Sequence, residues 1–253
     1  MFRIPRTRWR QKHRTIEFPK SAPVLPDRFR GLPVIDRHKC PADCNRCAAS
    51  CPTEAIAIQS GALTVDLGRC LFCTDCREAC PADALRYTND YRLAVRRRED
   101  LYLDGRVLER ARALDETARR IFGRSLKLRQ VSAGGCNACE ADVNVLQTVV
   151  FDLGRFGVDF VASPRHADGL LVTGAVSANM KLALEKTYQA VPPPKLVIAV
   201  GACAISGGPF RGHPEICDGV SPLLPVDLFV PGCPPHPLTI LDGILRLLGR
   251  LPE

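Results

Sequence analysis

No apolar run in this 253-residue chain approaches the roughly 18 to 20 residues needed to cross a bilayer. The N-terminus, Met1 to Arg14, has arginines but lacks the apolar core of a secretory signal, so the chain is expected to remain in the cytoplasm. Acidic residues are scarce at the start. Residues 1 to 40 hold three Asp or Glu against eleven Lys or Arg, a surplus of eight that equals the surplus of the whole chain. No nucleic-acid recognition module accompanies this basic arm, and its few aromatics, Trp9, Phe18 and Phe29, are not interleaved as a stacking platform. A nucleic-acid partner is therefore not expected, whereas anionic lipid or an acidic protein partner is compatible with the charge.

What the chain has in plenty is cysteine, thirteen residues in all. In a reducing compartment such thiols bind metal more often than they form disulfides. Prolines at 19, 23, 26 and 33 break up the segment before Cys40, which reads as an extended arm over 1–34 with little regular structure. From Cys40 to about Thr88 a pattern repeats. A cysteine cluster ends in Cys-Pro and is followed by a short apolar stretch, first Ala55 to Ile58, then Ala84 to Tyr87.

The second of these runs, Cys70-x2-Cys73-x2-Cys76-x3-Cys80-Pro81, is the bacterial ferredoxin pattern, in which three close thiolates hold one cubane and the fourth crosses to its neighbour. The first run, Cys40-x3-Cys44-x2-Cys47-x3-Cys51-Pro52, has one extra residue in its first gap, which a local bulge absorbs. This pattern assigns Cys40, Cys44, Cys47 and Cys80 to one [4Fe-4S] cluster and Cys70, Cys73, Cys76 and Cys51 to another. Zinc is the competing reading for cysteine pairs. The module, residues 35–92, is expected to be an α+β ferredoxin-like fold.

Between Arg106 and Phe122, Val107, Ala111, Leu114, Ala118 and Ile121 recur at helical spacing, which predicts a helical linker within residues 93–124. Residues 125–253 alternate short apolar runs with helical patterns. Strands are expected at Leu126 to Val131, Val158 to Ala162, Gly169 to Thr173, Leu196 to Val200 and Val226 to Val230, and helices at Asn137 to Leu153, Ser177 to Gln189 and Pro237 to Leu248. Near-continuous apolar strands fit a parallel sheet covered on both faces, so this α/β domain reads as doubly wound and flavodoxin-like.

Ligands of such sheets gather beyond the carboxyl ends of the strands, and four cysteines fall there. Cys136 and Cys139 lie in Gly134-Gly135-Cys136-Asn137-Ala138-Cys139, Cys203 follows Gly201-Ala202, and Cys233 sits in Pro231-Gly232-Cys233-Pro234-Pro235. Glycine lets backbone approach a bulky cofactor, and proline stiffens the loop. Together they make a third [4Fe-4S] site. Cys217 reads as an ordinary thiol.

Several of these segments, with Ser163-Pro164-Arg165-His166-Ala167-Asp168, Val172-Thr173-Gly174 and Pro225-Val226-Asp227, closely resemble the small-subunit family shared by membrane-bound [NiFe] hydrogenases and the twenty-kilodalton subunit of respiratory complex I. The resemblance covers about residues 125 to 250. The first half is similar to the two-cluster subunit of the same complexes, so the chain resembles a fusion of two neighbouring subunits. Complex I members typically have adjacent cysteines at the first ligand position and glutamine after Ser-Pro-Arg. Here Cys136-x2-Cys139 and His166 resemble the formate-hydrogenlyase type, while Ala138 replaces a glycine common in relatives.

The resemblance implies an electron-transfer subunit with three [4Fe-4S] clusters, serving a [NiFe]-hydrogenase-like or complex-I-like large subunit among further electron-transfer and membrane subunits. It implies peripheral attachment to the inner face of the cell membrane through those partners. A complex-I-like role toward quinone and a related oxidoreductase without nickel are the alternatives. Arg165 and His166 are candidates to sit beside the third cluster, or Arg165 pairs with Asp168 to hold the loop. Glu140 either relays protons, contacts the large subunit or complements a helix dipole. His213 and His236 lie near glycine and proline loops, but four cysteines already complete the third site.

Overall fold

Short cysteine-bearing turns and long apolar strands divide the chain in the computed structural model, which describes residues 3–41, 44–59, 62–105 and 107–251. Its elements in order are α1 (Arg3–Gln11), β1 (Pro33–Ile35), α2 (Arg46–Ala49), β2 (Ile56–Gln59), β3 (Ala62–Asp66), α3 (Asp75–Glu78), β4 (Leu85–Tyr87), β5 (Tyr102–Leu103) and α4 (Glu116–Phe122). There follow β6 (Leu126–Ser132), α5 (Ala138–Val145), β7 (Val158–Phe160), β8 (Gly169–Thr173), α6 (Ala178–Ala190), β9 (Leu196–Val200), α7 (Ala202–Ser206), β10 (Leu228–Val230) and α8 (Pro237–Leu247).

The N-terminal module pairs β1 with β4, and β3 with both β2 and β5, all antiparallel. Its internal duplication is visible in the backbone. The Ala55 N–H donates to Cys51 Sγ at 3.2 Å, and the Ala84 N–H donates to Cys80 Sγ at 3.3 Å. Glu54 and Asp83, each third after its cysteine, both adopt positive φ, at 51° and 46°. Each Cys-Pro turn thus closes the same way before delivering an apolar strand.

The second half is one five-stranded parallel sheet in the order β7-β6-β8-β9-β10. This is the flavodoxin-type order, with its switch point between β6 and β8. Strands β8, β9 and β10 are buried at every position because helices cover both faces, which accounts for their unbroken apolar sequence. All eleven residues of α8 are buried, and its Asp242 and Arg246 neutralise each other across one turn at 2.8 Å.

Three expectations need correction. The linker is not one helix. Arg106 lies outside the described residues, and only Glu116–Phe122 is helical, capped by Asp115 accepting from the Ala118 N–H at 2.9 Å. Before it the chain is extended, with Leu108, Ala111 and Leu114 buried at intervals of three while Val107 is exposed. Backbone bonds from Ala111 to Ala94 and from Leu114 to Leu247 take the place of helical ones. The arm also has more structure than its prolines suggest, since α1 precedes them all but Pro5, which sits in the first turn where proline is tolerated. Helix α5 ends at Val145, short of Leu153, because i to i+3 bonds at Leu146, Gln147 and Thr148 tighten the chain out of the helix.

The two halves share a core. Val95 and Phe229 exchange both backbone hydrogen bonds, at 3.0 and 2.9 Å, so the segment after the ferredoxin-like module covers the β10 edge of the large sheet.

Candidate iron-sulfur cluster sites

In the module, Cys51, Cys70, Cys73 and Cys76 line one cavity with Ile56, Val65, Leu85 and Tyr87. Burial pushes the Cys70 thiol up to about 12, with repulsion from Cys76 and Cys51 adding to it. Cys76 is raised in the same way by burial and then by Cys73 and Cys51. These four sulfurs therefore share one desolvated space, where their anions destabilise one another unless positive iron lies between them. The Phe72 N–H approaches Cys70 Sγ at 3.4 Å, and Tyr87 Oη lies 3.6 Å from Cys76 Sγ.

The other module set is looser. Cys47, in α2, is buried, and its thiol is raised by burial and by Cys40 and Cys76. Cys40, Cys44 and Cys80 are half-buried, and Cys80 ends the turn after α3, the helix that packs on α2.

The third set comes together at the carboxyl edge of the parallel sheet. Cys136 follows β6, Cys139 sits in the first turn of α5, Cys203 lies in α7 after β9, and Cys233 follows β10. Burial raises Cys139, and Cys203, Cys233, Glu140 and Cys136 raise it further. Cys203 is pushed up to about 11 by burial, Cys233, Cys136 and Glu140. Two glycines make room for these sulfurs. A Cβ on Gly201, at φ +92°, would stand 2.5 Å from Cys139 Sγ, and one on Gly208 would stand 2.8 Å from Cys203 Sγ. The same backbone approach would admit a cofactor larger than one ion.

Among the described residues no group of three or more His, Cys, Asp or Glu is close enough to hold a single metal ion. A cubane has its irons at separate corners, so its thiolates stand farther apart than those around one tetrahedral zinc. The donor chemistry fits such a cluster: thiols gathered in desolvated space at Cys70, Cys76, Cys139 and Cys203, with backbone N–H groups reaching Cys51, Cys70 and Cys80 in the module.

Nothing in the sequence marked Glu140 as buried. It is 5% exposed, and its Oε1 accepts from Ser132 Oγ at 2.6 Å and Thr173 Oγ1 at 2.7 Å. Burial alone would raise its pKa, but these two hydroxyls outweigh burial and hold it below the usual carboxylate range. A fixed negative charge thus sits beside Cys139 and Cys203.

Arg165 and His166 occupy a single exposed turn between β7 and β8. The groups acting most strongly on Cys139, Cys203 and Cys233 are the cysteines and Glu140, not these two. Asp168 accepts instead from the Lys127 N–H at 2.7 Å. His236 caps α8, its Nδ1 accepting from the Leu238 N–H at 3.2 Å, and His213 accepts from the Glu215 N–H at 3.2 Å.

Cys73 and Cys233 are electrostatic neighbours and share an open cleft of about 520 Å³. Its walls come from three parts of the chain: Arg28 to Arg30 of the arm, Leu71 to Cys73 of the module, and Asp142 with Pro231 to His236 of the α/β domain. The second and third cysteine sets therefore face each other. Charge spacing alone gave no signal of this.

Comparison with known proteins agrees with both halves. Residues 136–247 match the family described as NADH ubiquinone oxidoreductase, 20 Kd subunit, and residues 32–93 match a 4Fe-4S dicluster domain. Formate hydrogenlyase subunit 7 of Escherichia coli is 42% identical over 51% of this chain and 51% of its own length, so the match spans about half of that protein. A probable membrane-bound hydrogenase subunit of Pyrococcus furiosus is 42% identical over 52% of this chain and 79% of its own. An NADH-quinone oxidoreductase subunit of Heliobacterium modesticaldum is 38% identical over 47% of this chain and 69% of its own. With a dicluster domain ahead of a parallel sheet whose carboxyl edge gathers four cysteines, the chain belongs to the NADH ubiquinone oxidoreductase 20 Kd subunit family.

Proposed function

We propose that this chain is the iron-sulfur electron-transfer subunit of an oxidoreductase complex, passing electrons through three [4Fe-4S] clusters to or from the [NiFe] large subunit of a membrane-associated, formate-hydrogenlyase-like hydrogenase. Cys40, Cys44, Cys47 and Cys80 would hold the first cluster, Cys51, Cys70, Cys73 and Cys76 the second, and Cys136, Cys139, Cys203 and Cys233 the third. Such clusters supply one-electron storage at potentials set by charge, hydrogen bonding and burial. The observation that carries the reading is that Cys73 and Cys233 line one cleft, which supports electron passage between the module and the α/β domain.

The chain's own groups hold and tune that path. Backbone N–H groups of Ala55, Phe72 and Ala84 point at Cys51, Cys70 and Cys80 and favour the more negative, reduced state. Glu140 opposes reduction at the third set by its charge. Leu67, Leu85 and Val95, all almost fully buried, keep water from the module core. The hydrogenase reading is favoured over the complex-I-like one by Cys136-x2-Cys139 and His166; the similarity to the NADH-quinone oxidoreductase relative supports the latter as second reading. Among the described residues no helix is long and apolar enough to cross a membrane, and membrane partners of the complex would hold the chain at the inner face.

The test is anaerobic iron and acid-labile sulfide analysis with EPR of the dithionite-reduced protein, repeated on Cys233→Ala. About twelve irons falling to about eight would support three cubanes with the third in the α/β domain. Zinc in the wild type, or no cluster lost in the variant, would remove the third site. Isolating the complex and assaying its large subunit for nickel separates the hydrogenase reading from the complex-I-like one.

A further inference from the structure

We infer that α1 is a membrane-surface anchor, a short basic helix that lies against anionic lipid headgroups and so fixes the subunit to the bilayer directly, in addition to any contact with partners. The helix contributes nothing to the core. None of its nine residues is buried, and Ile4 and Trp9 are 81% and 83% exposed. At 3.6 residues per turn, Arg3, Arg6 and Arg10 fall on one side and Ile4, Pro5 and Trp9 on the other, with Arg8 lying between Ile4 and Pro5 so that its long stem can reach back to the headgroups. Lys12 and Arg14 follow, and no acid occurs before Glu17.

Water alone gives such a helix little reason to form. A nine-residue segment is below the length at which isolated helices persist, and four arginines without an acidic partner one turn away repel one another. An anionic surface neutralises the arginines while its interfacial layer takes up Ile4 and Trp9, since tryptophan rings settle at headgroup level. Duplex or single-stranded nucleic acid fits less well: the helix has one aromatic and no stacking neighbour.

The root of the arm is fastened, so the anchor would orient the body. Thr15 Oγ1 donates to the Val149 carbonyl at 2.8 Å, and the Ile16 N–H donates to that of Val150 at 2.9 Å. Phe18 is buried beyond them, its carbonyl accepting from Arg155 Nη2 at 2.8 Å. Val149 and Val150 are themselves 65% and 40% exposed, so the body carries exposed apolar side chains where the arm is fastened. Both follow α5, whose other end holds Cys139, so the lipid-facing side would lie about one short helix from the third cysteine set.

The experiment is flotation of the full, cluster-loaded chain with vesicles of phosphatidylcholine alone and of phosphatidylcholine mixed with phosphatidylglycerol. Trp9 is the only tryptophan, so its emission reports the helix without a label. The expected result is flotation with the mixed vesicles only, a blue shift of Trp9, and reversal by salt. Arg6→Gln combined with Arg10→Gln should weaken partitioning by roughly twentyfold, and Trp9→Ala by about tenfold, with cluster absorbance unchanged. Absence of flotation, flotation without a blue shift, or equal flotation of the double variant would overturn the anchor. So would retention by duplex DNA, or by an acidic polypeptide, at salt where anionic vesicles do not bind.

Discussion

Ser206 Oγ donates to the Gly68 carbonyl oxygen at 2.8 Å, tying the helix that carries Cys203 to the loop that leads into Cys70. The same loop is pinned by the Gly68 N–H donating to Asp66 Oδ1 at 2.9 Å. Ser206 is buried, so Ser206→Ala leaves a carbonyl without its donor and should cost about 1–3 kcal/mol. The measurement is the apparent unfolding midpoint of the anaerobic protein. Ser206→Thr keeps the hydroxyl but adds a methyl, and should recover part of the loss only where the packing yields. If Ser206→Ala leaves the midpoint unmoved, the two halves are held by the shared apolar core and the Val95–Phe229 backbone bonds without help from this hydroxyl.

Gly201 illustrates how a single missing Cβ makes a site. Its φ of +92° disfavours any side chain, and the space beside it is filled by Cys139 Sγ. Gly201→Ala is expected to displace that sulfur and to cost the third cluster, lowering iron from about twelve per chain to about eight. Gly154→Ala is the control, because nothing lies within 4 Å of its added methyl. Iron analysis of the two purified variants decides the matter; equal loss in both would point to general instability.

Much of this was legible from residue order because burial on both faces leaves a plain signature. Gly169–Thr173 and Leu196–Val200 are strands with the limits their apolar runs suggest, and the cysteines that follow β6, β9 and β10 had to fall at one sheet edge. The linker misled because Ala111 and Leu114, three residues apart, satisfy a helical pattern and an extended, edge-bound chain equally well, while Val107, counted on the helical face, is exposed and Leu108 is buried in its place. What separates the two is the Ala94 and Leu247 carbonyls, groups distant in sequence. The facing of Cys73 and Cys233 and the bond between Ser206 and Gly68 are likewise tertiary facts with no local pattern.

Asp90 fastens the end of the module to the linker. Its carboxylate takes Arg92 Nε at 2.7 Å and Nη2 at 2.9 Å, and Arg110 Nη2 at 3.1 Å. Burial alone would raise its pKa, but the bonds from Arg92 and the charge of Arg110 outweigh it and hold Asp90 below the usual range. A lowered folded pKa means that the stabilisation is present above the unfolded value of about 3.9 and is lost as pH falls through the folded one. Asp90→Asn should therefore lose about 1.5–3 kcal/mol at neutral pH. The gap between variant and wild type should close only below about pH 4, and comparing their unfolding midpoints cancels the acid lability common to both.

Glu140 and the third cysteine set offer the sharpest separation of charge from structure. Both hydroxyl donors meet the same oxygen, Oε1, so Glu140→Gln can keep both hydrogen bonds through its amide oxygen while removing the charge. With that charge gone, adding an electron to the neighbouring cluster becomes easier. Its midpoint should rise on the order of tens of millivolts, in a redox titration followed by EPR. Glu140 is not among the strongest influences on Cys70 or Cys76, so the second cluster should titrate as before and serve as an internal reference. Glu140→Ala removes the charge and also leaves Ser132 and Thr173 without their acceptor, and should lower stability as well. A third-cluster potential unmoved in Glu140→Gln, with stability lost in Glu140→Ala, would make Glu140 a strut between β6 and β8 rather than an electrostatic control on the electron path.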